Sequence, residues 1–371
     1  AYAKLGHASL LPFQTGRVGG RRVVASAEAE APEVVPLRWD DLAVLPPAFS
    51  REDKSDQGDV EITDLTALVK AVQEAAEGSG VQRQPSPWLP ALPERLTLPA
   101  LARRARAEAA QEGRIQAVPV GLMDLPAQQR QDPFSIDLRT LTHLHIIGSG
   151  RSGRSQYLRT IAASLGLGHH PADVHMYGID CGNGALLPLE GFPHCGAVVN
   201  RTQQERVVRL LGLLGTELER RQKLLATQGC ADLEELRAHT DGADRPAHIV
   251  IMLDRWDVFE QTFGDYNYGG LIEQAVTLMR DGAAVGIHFV VTGDKVLTRT
   301  KYASTTEHRL VLRCNDQGDY NAAGLQARKL PETVPDGRAF RGSDAMEIQG
   351  ALLTEDPSGG AQAAELISIA R

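Results

Sequence analysis

The chain has 371 residues, of which 42% are hydrophobic, enough to bury one large core and a smaller appendage. A formal net charge of −8 argues against a nucleic-acid groove as the main functional surface, although a basic lining inside a ring would be compatible with it. No hydrophobic run approaches the roughly 20 residues of a membrane span, and the four cysteines lack the CxxC pairs and histidine spacing of zinc sites.

The first 24 residues predict strands and turns, because LLPFQTGRVGG and the following RRVVAS have no helical period. They align loosely with residues 337–353, which share the Gln14/Gln349 pair and several apolar positions. If this match is a true repeat, residues 1–24 are the tail of a preceding domain in a tandem array. A chance match is the alternative, because the alignment is short.

Residues 25–114 are predicted to link this segment to the main domain. Residues 25–59 are acidic and contain proline, which is typical of a surface linker. Thr63 is suited to cap a helix over residues 64–77, and the apolar side chains of that helix fall on one face. The proline-rich residues 85–96 predict an extended lead-in that is packed by Trp88.

Residues 115–371 predict one α/β domain. Residues 117–138 read as a hairpin that leads into the first buried strand. Buried strands are predicted at residues 143–147, 174–180, 248–254 and 287–293, and helices after residue 155 and at residues 206–225 and 270–281. Strands that alternate with helices form a parallel sheet with helices on both faces.

The most informative segment is the glycine-rich loop between the first of these strands and a helix. Its spacing fits GxxxxGx[ST], a phosphate-binding loop, but arginine stands where lysine is usual. The predicted loop consists of Gly148, Ser149, Gly150, Arg151, Ser152, Gly153, Arg154 and Ser155. Its glycines let backbone amides approach a phosphate, and the next helix offers its positive dipole end. Ser155 would bind Mg²⁺, whereas the planar guanidinium of Arg154 differs from a lysine ammonium in size and reach.

Two other interpretations of the loop are open. Gly148, Gly150 and Gly153 also spell GxGxxG, the dinucleotide-binding fingerprint, and Asp180 ends the next strand somewhat later than that fingerprint requires. A glycine-rich turn without a ligand is the second. A P-loop ATPase needs another apolar strand that ends in a Mg²⁺-organising aspartate, and Asp254 ends the strand over residues 248–254. We therefore prefer the phosphate-binding interpretation.

The residue after Asp254 is Arg255, where ATPases of this kind usually carry a glutamate that polarises the attacking water. Arginine stays protonated and cannot act as a base. Asp254 can still orient Mg²⁺ through water; the alternative is an aspartate that caps the next turn. Asp257 is expected to be an acid of a helix N-terminal turn, with an interface charge as the alternative. Two catalytic positions have changed to arginine, which predicts weak nucleotide binding, binding without turnover, or no binding.

In their order, these motifs resemble the FtsK/SpoIIIE-type P-loop ATPases, most closely the tandem ATPase modules of the EccC/EssC type VII secretion proteins. The resemblance rests on HLHIIGSGRSGRS, YGIDCGNGALLPLEGFPHCGAVV, HIVIMLDRWDVF, GIHFVVTGD, RLVLRCNDQGDYNAAGL and PDGRAF. It implies a RecA-like core with a phosphate loop, a Mg²⁺-side Asp254 and a sensor strand that ends at Thr292 and Asp294. It also implies that residues 1–24 are the tail of a preceding ATPase repeat. Arg338, in PDGRAF, is expected in a surface salt bridge, with a nucleotide or interface contact as the alternative.

The resemblance implies a degenerate module that binds ATP and Mg²⁺ with little or no hydrolysis and contributes to substrate recognition or motor regulation. Its implied partners are neighbouring ATPase modules of the same chain, a hexameric assembly of the parent and small WXG-type secreted proteins. Because the chain begins at Ala1, we expect a piece of a longer protein, the cytoplasmic portion of a plasma-membrane protein. The alternatives are an ATP-free peptide-binding pseudo-ATPase and a DNA-translocating motor of the same superfamily; nucleic acid stays open as a partner.

Overall fold

The computed structural model describes residues 2–4, 10–12, 14, 16, 63–81 and 88–371. The chain divides into two compact units, residues 1–86 and residues 87–371. In the first unit, β1 (Tyr2–Lys4) pairs antiparallel with β2 (Leu10–Pro12). Helix α1 spans Asp64–Gly78, where a helix over residues 64–77 was expected. The predicted linker over residues 25–59 lies outside the described residues, and the assignment of residues 1–24 to a preceding repeat stays a prediction.

Helix α1 begins with the cap that the sequence predicts, at Thr63. The Thr63 hydroxyl accepts a hydrogen bond from the Thr66 amide at 3.1 Å, which satisfies one of the unpaired amides of the first turn. The apolar face of the helix is not buried, since Leu65, Leu68 and Val72 are each about half exposed. Its stability therefore owes little to packing among the residues that the structure describes.

The second unit contains a ten-stranded sheet. Its strands are β3 (Val118–Leu125), β4 (Arg130–Ile136), β5 (Leu144–Ile147), β6 (Val174–Asp180), β7 (Cys195–Asn200), β8 (His248–Asp254), β9 (Ile287–Gly293), β10 (Arg309–Leu312), β11 (Arg338–Arg341) and β12 (Glu347–Gly350). Their order is β4-β3-β12-β11-β10-β5-β9-β8-β6-β7. The strands from β10 to β7 are parallel, and β11, β12, β3 and β4 extend the sheet with antiparallel pairs. The predicted α/β class with a mainly parallel sheet is confirmed, as is the β3–β4 hairpin.

Helices cover both faces of this sheet. They are α2 (Leu98–Ala105), α3 (Arg154–Gly168), α4 (Gln204–Gln228), α5 (Leu233–Ala238), α6 (Trp256–Phe263), α7 (Gly270–Asp281), α8 (Thr300–Ala303), α9 (Gln317–Ala322) and α10 (Gly359–Ala370). In β8, Ile249, Ile251 and Leu253 belong to the core cluster that includes α4, α6 and α7. Val250 and Met252 belong to the cluster that includes α3. Because successive strand residues point to opposite faces, β8 is buried on both sides.

The lead-in to the sheet packs differently from the prediction. Trp88, which was expected to pack it, is 81% exposed, whereas Leu92 and Leu101 are buried in the core. Arg338 is also buried, and its guanidinium donates to the Gln349 side chain and to the Leu92 carbonyl, each at 3.0 Å. The expected salt bridge is present, since Arg338 Nη1 lies 2.8 Å from a Glu347 carboxylate oxygen. Its arginine is buried and not at the surface, because β11 and β12 fold against the lead-in and desolvate it.

Within the described part of the chain, no helix combines the length and the apolar character needed to cross a membrane. The parallel strands matter most for the site, because their carboxyl ends meet at one edge of the sheet. The glycine-rich loop follows β5, Asp254 ends β8, and Thr292 lies near the end of β9. Since β5, β9 and β8 are neighbours, the topology brings all three together.

Candidate functional site

The glycine-rich loop connects β5 to α3 and depends on two of its glycines. Gly153 has a φ of 105°, a conformation that other residues rarely adopt, and a Cβ there would lie 3.2 Å from backbone atoms of Gly337. A Cβ at Gly148 would lie 2.6 Å from the Ser152 hydroxyl. Gly150 is different, since a Cβ at this position would meet no atom of the described residues within 4 Å. The loop conformation thus requires glycine at the two positions that the phosphate-loop spacing specifies.

The first backbone amides of the loop are hydrogen-bonded to neighbouring strands and loops, whereas the amides that follow are not, among the described residues. The Gly148 amide donates to the Gly293 carbonyl at 3.1 Å, and the Ser149 amide to the Arg313 carbonyl at 2.9 Å. Among the described residues, no hydrogen bond uses the amides of Gly150, Arg151 or Ser152. These amides precede the N-terminus of α3, where unpaired N–H groups favour an anion. The loop therefore fits a phosphate group.

Ser155, Asp254 and Thr292 form a hydrogen-bonded group beside the loop. The Ser155 hydroxyl lies 3.1 and 2.9 Å from the two Asp254 carboxylate oxygens, and the Thr292 hydroxyl donates to Asp254 Oδ1 at 2.6 Å. Burial raises the pKa of Asp254 above its usual range, although the bonds from Thr292 and Ser155 oppose this shift. A hydroxyl and a carboxylate are oxygen donors of the kind that Mg²⁺ prefers. Ser155 and Asp254 therefore fit the predicted metal position.

Arg154 and Arg255 both face one carboxylate, that of Asp257 on α6. Arg255 Nη2 lies 3.2 Å from Asp257 Oδ2, and Arg154 Nη1 lies 3.9 Å from Asp257 Oδ1. Arg255 adopts a left-handed conformation with a φ of 67°, and its amide donates to the Thr292 hydroxyl at 2.8 Å. The two positions where lysine and glutamate are usual therefore hold cations that share a counter-ion. Sequence reasoning did not find this role of Asp257, because an acid in a first helical turn is common in any case.

The two predicted sensor residues have different surroundings. Thr292 contacts Asp254 directly, as described above. The Asp294 carboxylate instead accepts a hydrogen bond from the Val296 amide at 2.8 Å and caps the short 3₁₀ turn Lys295–Thr298. The structure therefore brings Thr292 to the centre of the site and uses Asp294 to shape the adjoining turn.

Asp180 bears on the dinucleotide interpretation, in which this carboxylate would bind a ribose. Its two oxygens accept hydrogen bonds from the amides of Gly182 and Leu186, both at 2.8 Å. Asp180 is only 1% exposed. Because the carboxylate is used by its own loop, this geometry disfavours a ribose contact and leaves the phosphate-loop interpretation as the better one.

A cavity of about 800 Å³ adjoins the outer side of the loop. Arg151, Gly153 and Gln156 line one wall, and residues 333–337 and 349–352 line another. The Gly337 amide donates to the Ser152 carbonyl at 3.1 Å, which joins the two walls. Its volume is in the range of small-molecule sites. No spacing in the sequence indicated this cavity, because its walls come from segments that are about 180 residues apart.

Comparison with known proteins agrees with this geometry. The FtsK/SpoIIIE family model matches residues 104–325, more than half of the chain. The ESX secretion system protein EccC of Geobacillus thermodenitrificans is 27% identical over 297 residues, covering 80% of this chain and 19% of the relative. The ESX-4 secretion system protein EccC4 of Mycobacterium tuberculosis is 31% identical over 270 residues, covering 71% of this chain and 21% of the relative.

Solved structures give the same assignment. ATPases 2 and 3 of Thermomonospora curvata EccC, in complex with a signal sequence peptide, match with a TM-score of 0.64 and 27% identity over 76% of this chain and 53% of that one. The chain spans about a fifth of the length of the EccC relatives named above. The chain belongs to the FtsK/SpoIIIE family and is homologous to the ATPase domains of the EccC and EssC proteins of type VII secretion.

Proposed function

We propose that this chain is a degenerate ATPase module of a type VII secretion translocase, one that binds ATP with Mg²⁺ and hydrolyses it slowly or not at all. The observation that carries this proposal is a contrast within one site. The loop keeps the glycine conformations and the Ser155–Asp254 pair, while Arg154 and Arg255 are both paired with Asp257. The first set of features binds phosphate and Mg²⁺, whereas full nucleotide affinity and fast turnover also use the lysine and the glutamate that are replaced.

The roles of the individual residues follow from their positions. The amides of residues 150–152 and the α3 N-terminus would hold phosphate oxygens, and Ser155 and Asp254 would hold Mg²⁺, directly or through water. When bound, Mg²⁺ neutralises charge on the phosphates. Thr292 fixes the Asp254 carboxylate in place. Arg255 cannot accept a proton from water, so the step that hydrolysis requires has no base at the usual position.

The first test is a calorimetric titration of the chain with Mg²⁺-ATP, combined with thermal unfolding. We expect saturable binding, and an added stability of about 2.7 kcal/mol when the free nucleotide is about 100 times its Kd. Flat heats with an unchanged unfolding temperature would contradict nucleotide binding. That result would favour the ATP-free, peptide-binding alternative.

A second test addresses the loss of turnover. The double variant Arg154→Lys/Arg255→Glu restores the usual residues, and we expect its rate of phosphate release from ATP to exceed that of the wild type about tenfold. Each single variant should gain less, because both groups are needed. An unchanged rate in a double variant that still binds ATP would show that the arginines are not what limits hydrolysis, and would direct attention to groups supplied by a neighbouring module.

We also propose that the module acts through protein contacts, with neighbouring ATPase modules in a hexamer of the parent and with small WXG-type secreted proteins. Two observations support this: a T. curvata relative has been solved with a signal sequence peptide, and a cavity large enough for side chains of a peptide adjoins the loop here. Fluorescence anisotropy with C-terminal peptides of such proteins tests it. Binding to duplex DNA that weakens steeply with salt would instead support a DNA-translocating motor.

A further inference from the structure

Asp257 is placed where its single carboxylate faces both arginines of the site. It follows Arg255 by two residues in the first turn of α6, and Arg154 reaches it from the first turn of α3. The side chains of Asp257 and Arg154 are 19% and 11% exposed, so solvent screens this pair weakly. A carboxylate so close to the phosphate loop would repel a phosphate group that binds there.

The cluster of Arg154, Arg255 and Asp257 does not use all of its hydrogen-bonding groups. Three of its buried polar atoms have no hydrogen-bond partner among the residues that the structure describes: Arg154 Nη1, Arg255 Nε and Asp257 Oδ1. Arg154 Nη1 and Asp257 Oδ1 are 3.9 Å apart, which is too long for a direct hydrogen bond. Buried donors without a partner are costly, so the two arginines have unused capacity for an oxyanion. One carboxylate also leaves the two guanidinium groups with an excess positive charge.

We propose that Asp257 is a built-in counter-anion, which competes with the terminal phosphate of a nucleoside triphosphate for Arg154 and Arg255. This inference rests on the proposed function to the extent that the loop binds polyphosphate. Without a ligand, Asp257 holds the arginines and keeps the site from being strongly cationic. When polyphosphate binds, the terminal phosphate takes over these donors, and the binding energy is reduced by repulsion from the displaced carboxylate. Asp257 therefore sets how weakly the module holds its nucleotide.

Calorimetric titration with inorganic tripolyphosphate, which lacks a base and a ribose, tests this competition in the full 371-residue chain. The Asp257→Asn variant should bind tripolyphosphate about tenfold more tightly than the wild type, because the competing charge is gone and the shape is kept. Asp265→Asn is the matched control, since it removes the same charge from the exposed loop after α6 and should leave the affinity unchanged. In Arg154→Gln/Asp257→Asn most of the gain should disappear, because Asp257 acts through the arginine.

Thermal unfolding provides a second measurement. Without its counter-ion the arginine pair repels itself, so Asp257→Asn should unfold at a lower temperature than the wild type and should gain more from tripolyphosphate. If the asparagine variant does not fold, Asp257→Ser keeps a residue that suits a first helical turn and removes the same charge. Equal or weaker tripolyphosphate binding by a folded Asp257 variant overturns the proposal, as does an equal gain in Asp265→Asn.

A parallel Mg²⁺-ATP titration of the wild type separates this inference from the proposed function. If the wild type binds Mg²⁺-ATP and Asp257→Asn binds tripolyphosphate no more tightly, the inference fails and the proposed function stands. If the wild type binds neither ligand and Asp257→Asn gains tripolyphosphate binding, the competition is supported and nucleotide binding by the native module is not. If no form of the protein binds tripolyphosphate and the wild type does not bind Mg²⁺-ATP, both ideas fail.

Discussion

Replacing Gly153 with alanine is expected to weaken Mg²⁺-ATP binding about a hundredfold, which corresponds to about 2.7 kcal/mol. The residue has a φ of 105°, and the new Cβ would lie 3.2 Å from the Gly337 backbone. The strain of this conformation for an L-residue is on the order of 1–3 kcal/mol, so the loop should relax away from the shape that exposes its amides. Calorimetry measures the affinity, and thermal unfolding measures the accompanying loss of stability.

Gly150→Ala is the matched control for this experiment. A Cβ at Gly150 meets no atom of the described residues within 4 Å, and its φ lies outside the left-handed range, so the loop should keep its conformation and most of its ATP affinity. In a dinucleotide-binding loop, the glycine at this position is needed for close approach of the pyrophosphate. Equal losses from Gly150→Ala and Gly153→Ala would therefore contradict the phosphate-loop assignment, as would unchanged affinity in Gly153→Ala.

Acidification is expected to destabilise the folded chain, with a fall in the free energy of unfolding of up to about 6 kcal/mol between pH 7 and pH 5. Burial lowers the pKa of His143 to about 4, and those of His145 and His288 to about 3. His143 is held neutral by geometry as well, because its Nδ1 accepts from the Phe289 amide at 3.0 Å while Nε2 contacts the Met279 carbonyl. His145 Nδ1 has no hydrogen-bond partner within the described part of the chain.

The direction of this stability change follows from the pKa values of the histidines in the unfolded chain. These histidines have pKa values below the usual 6.5 when folded, so only the unfolded chain takes up protons as the pH falls below about 6.5. Their contribution to stability is present above that pH and is lost progressively below it, by about 1.4 kcal/mol per pH unit for each histidine. Because typical domains are stable by only about 5–15 kcal/mol, this loss is a large fraction of the total stability.

Urea unfolding at a series of pH values measures this effect, and substitutions assign it. His145→Met should reduce the slope by one proton, because it removes one buried imidazole and keeps an apolar side chain of similar volume. His239→Gln, a substitution at an exposed histidine, is the matched control. A stability that stays constant from pH 7 to pH 5, or an unaltered slope in His145→Met, would rule out these histidines as the cause.

Much of the fold could be predicted because local signals agree with tertiary demands. Seven residues from His248 to Asp254 read as a buried strand and form β8, and the helix predicted at residues 270–281 is α7. The phosphate loop could also be predicted from the sequence, because the loop conformation requires glycine at Gly148 and Gly153 and so fixes their spacing. In such segments the residue type depends on the backbone conformation and on neighbours a few residues away in the sequence.

Contacts between distant segments could not be predicted in this way. Asp257 meets Arg154 only because the ends of β5 and β8 lie close together in the sheet, and no pattern in the sequence measures that distance. The burial of Arg338 was not predicted for the same reason, because it depends on the Leu92 segment, about 250 residues earlier. The domain boundary at residue 114 stays a prediction, and Leu92 and Leu101, which precede it, pack with the core. Whether residues 1–24 derive from a preceding repeat stays a prediction.

The cavity beside the loop is connected to the loop by hydrogen bonds. Its wall over residues 333–337 is tied to the loop by the Gly337 amide, and the Tyr157 hydroxyl of α3 donates to the Gly337 carbonyl at 3.1 Å. A molecule that shifts this wall must alter the loop, and a phosphate that tightens the loop must alter the wall. By thermodynamic reciprocity, each occupant would change the affinity for the other by the same factor. Coupling of this kind between two binding equilibria consumes no ATP, so it does not depend on turnover.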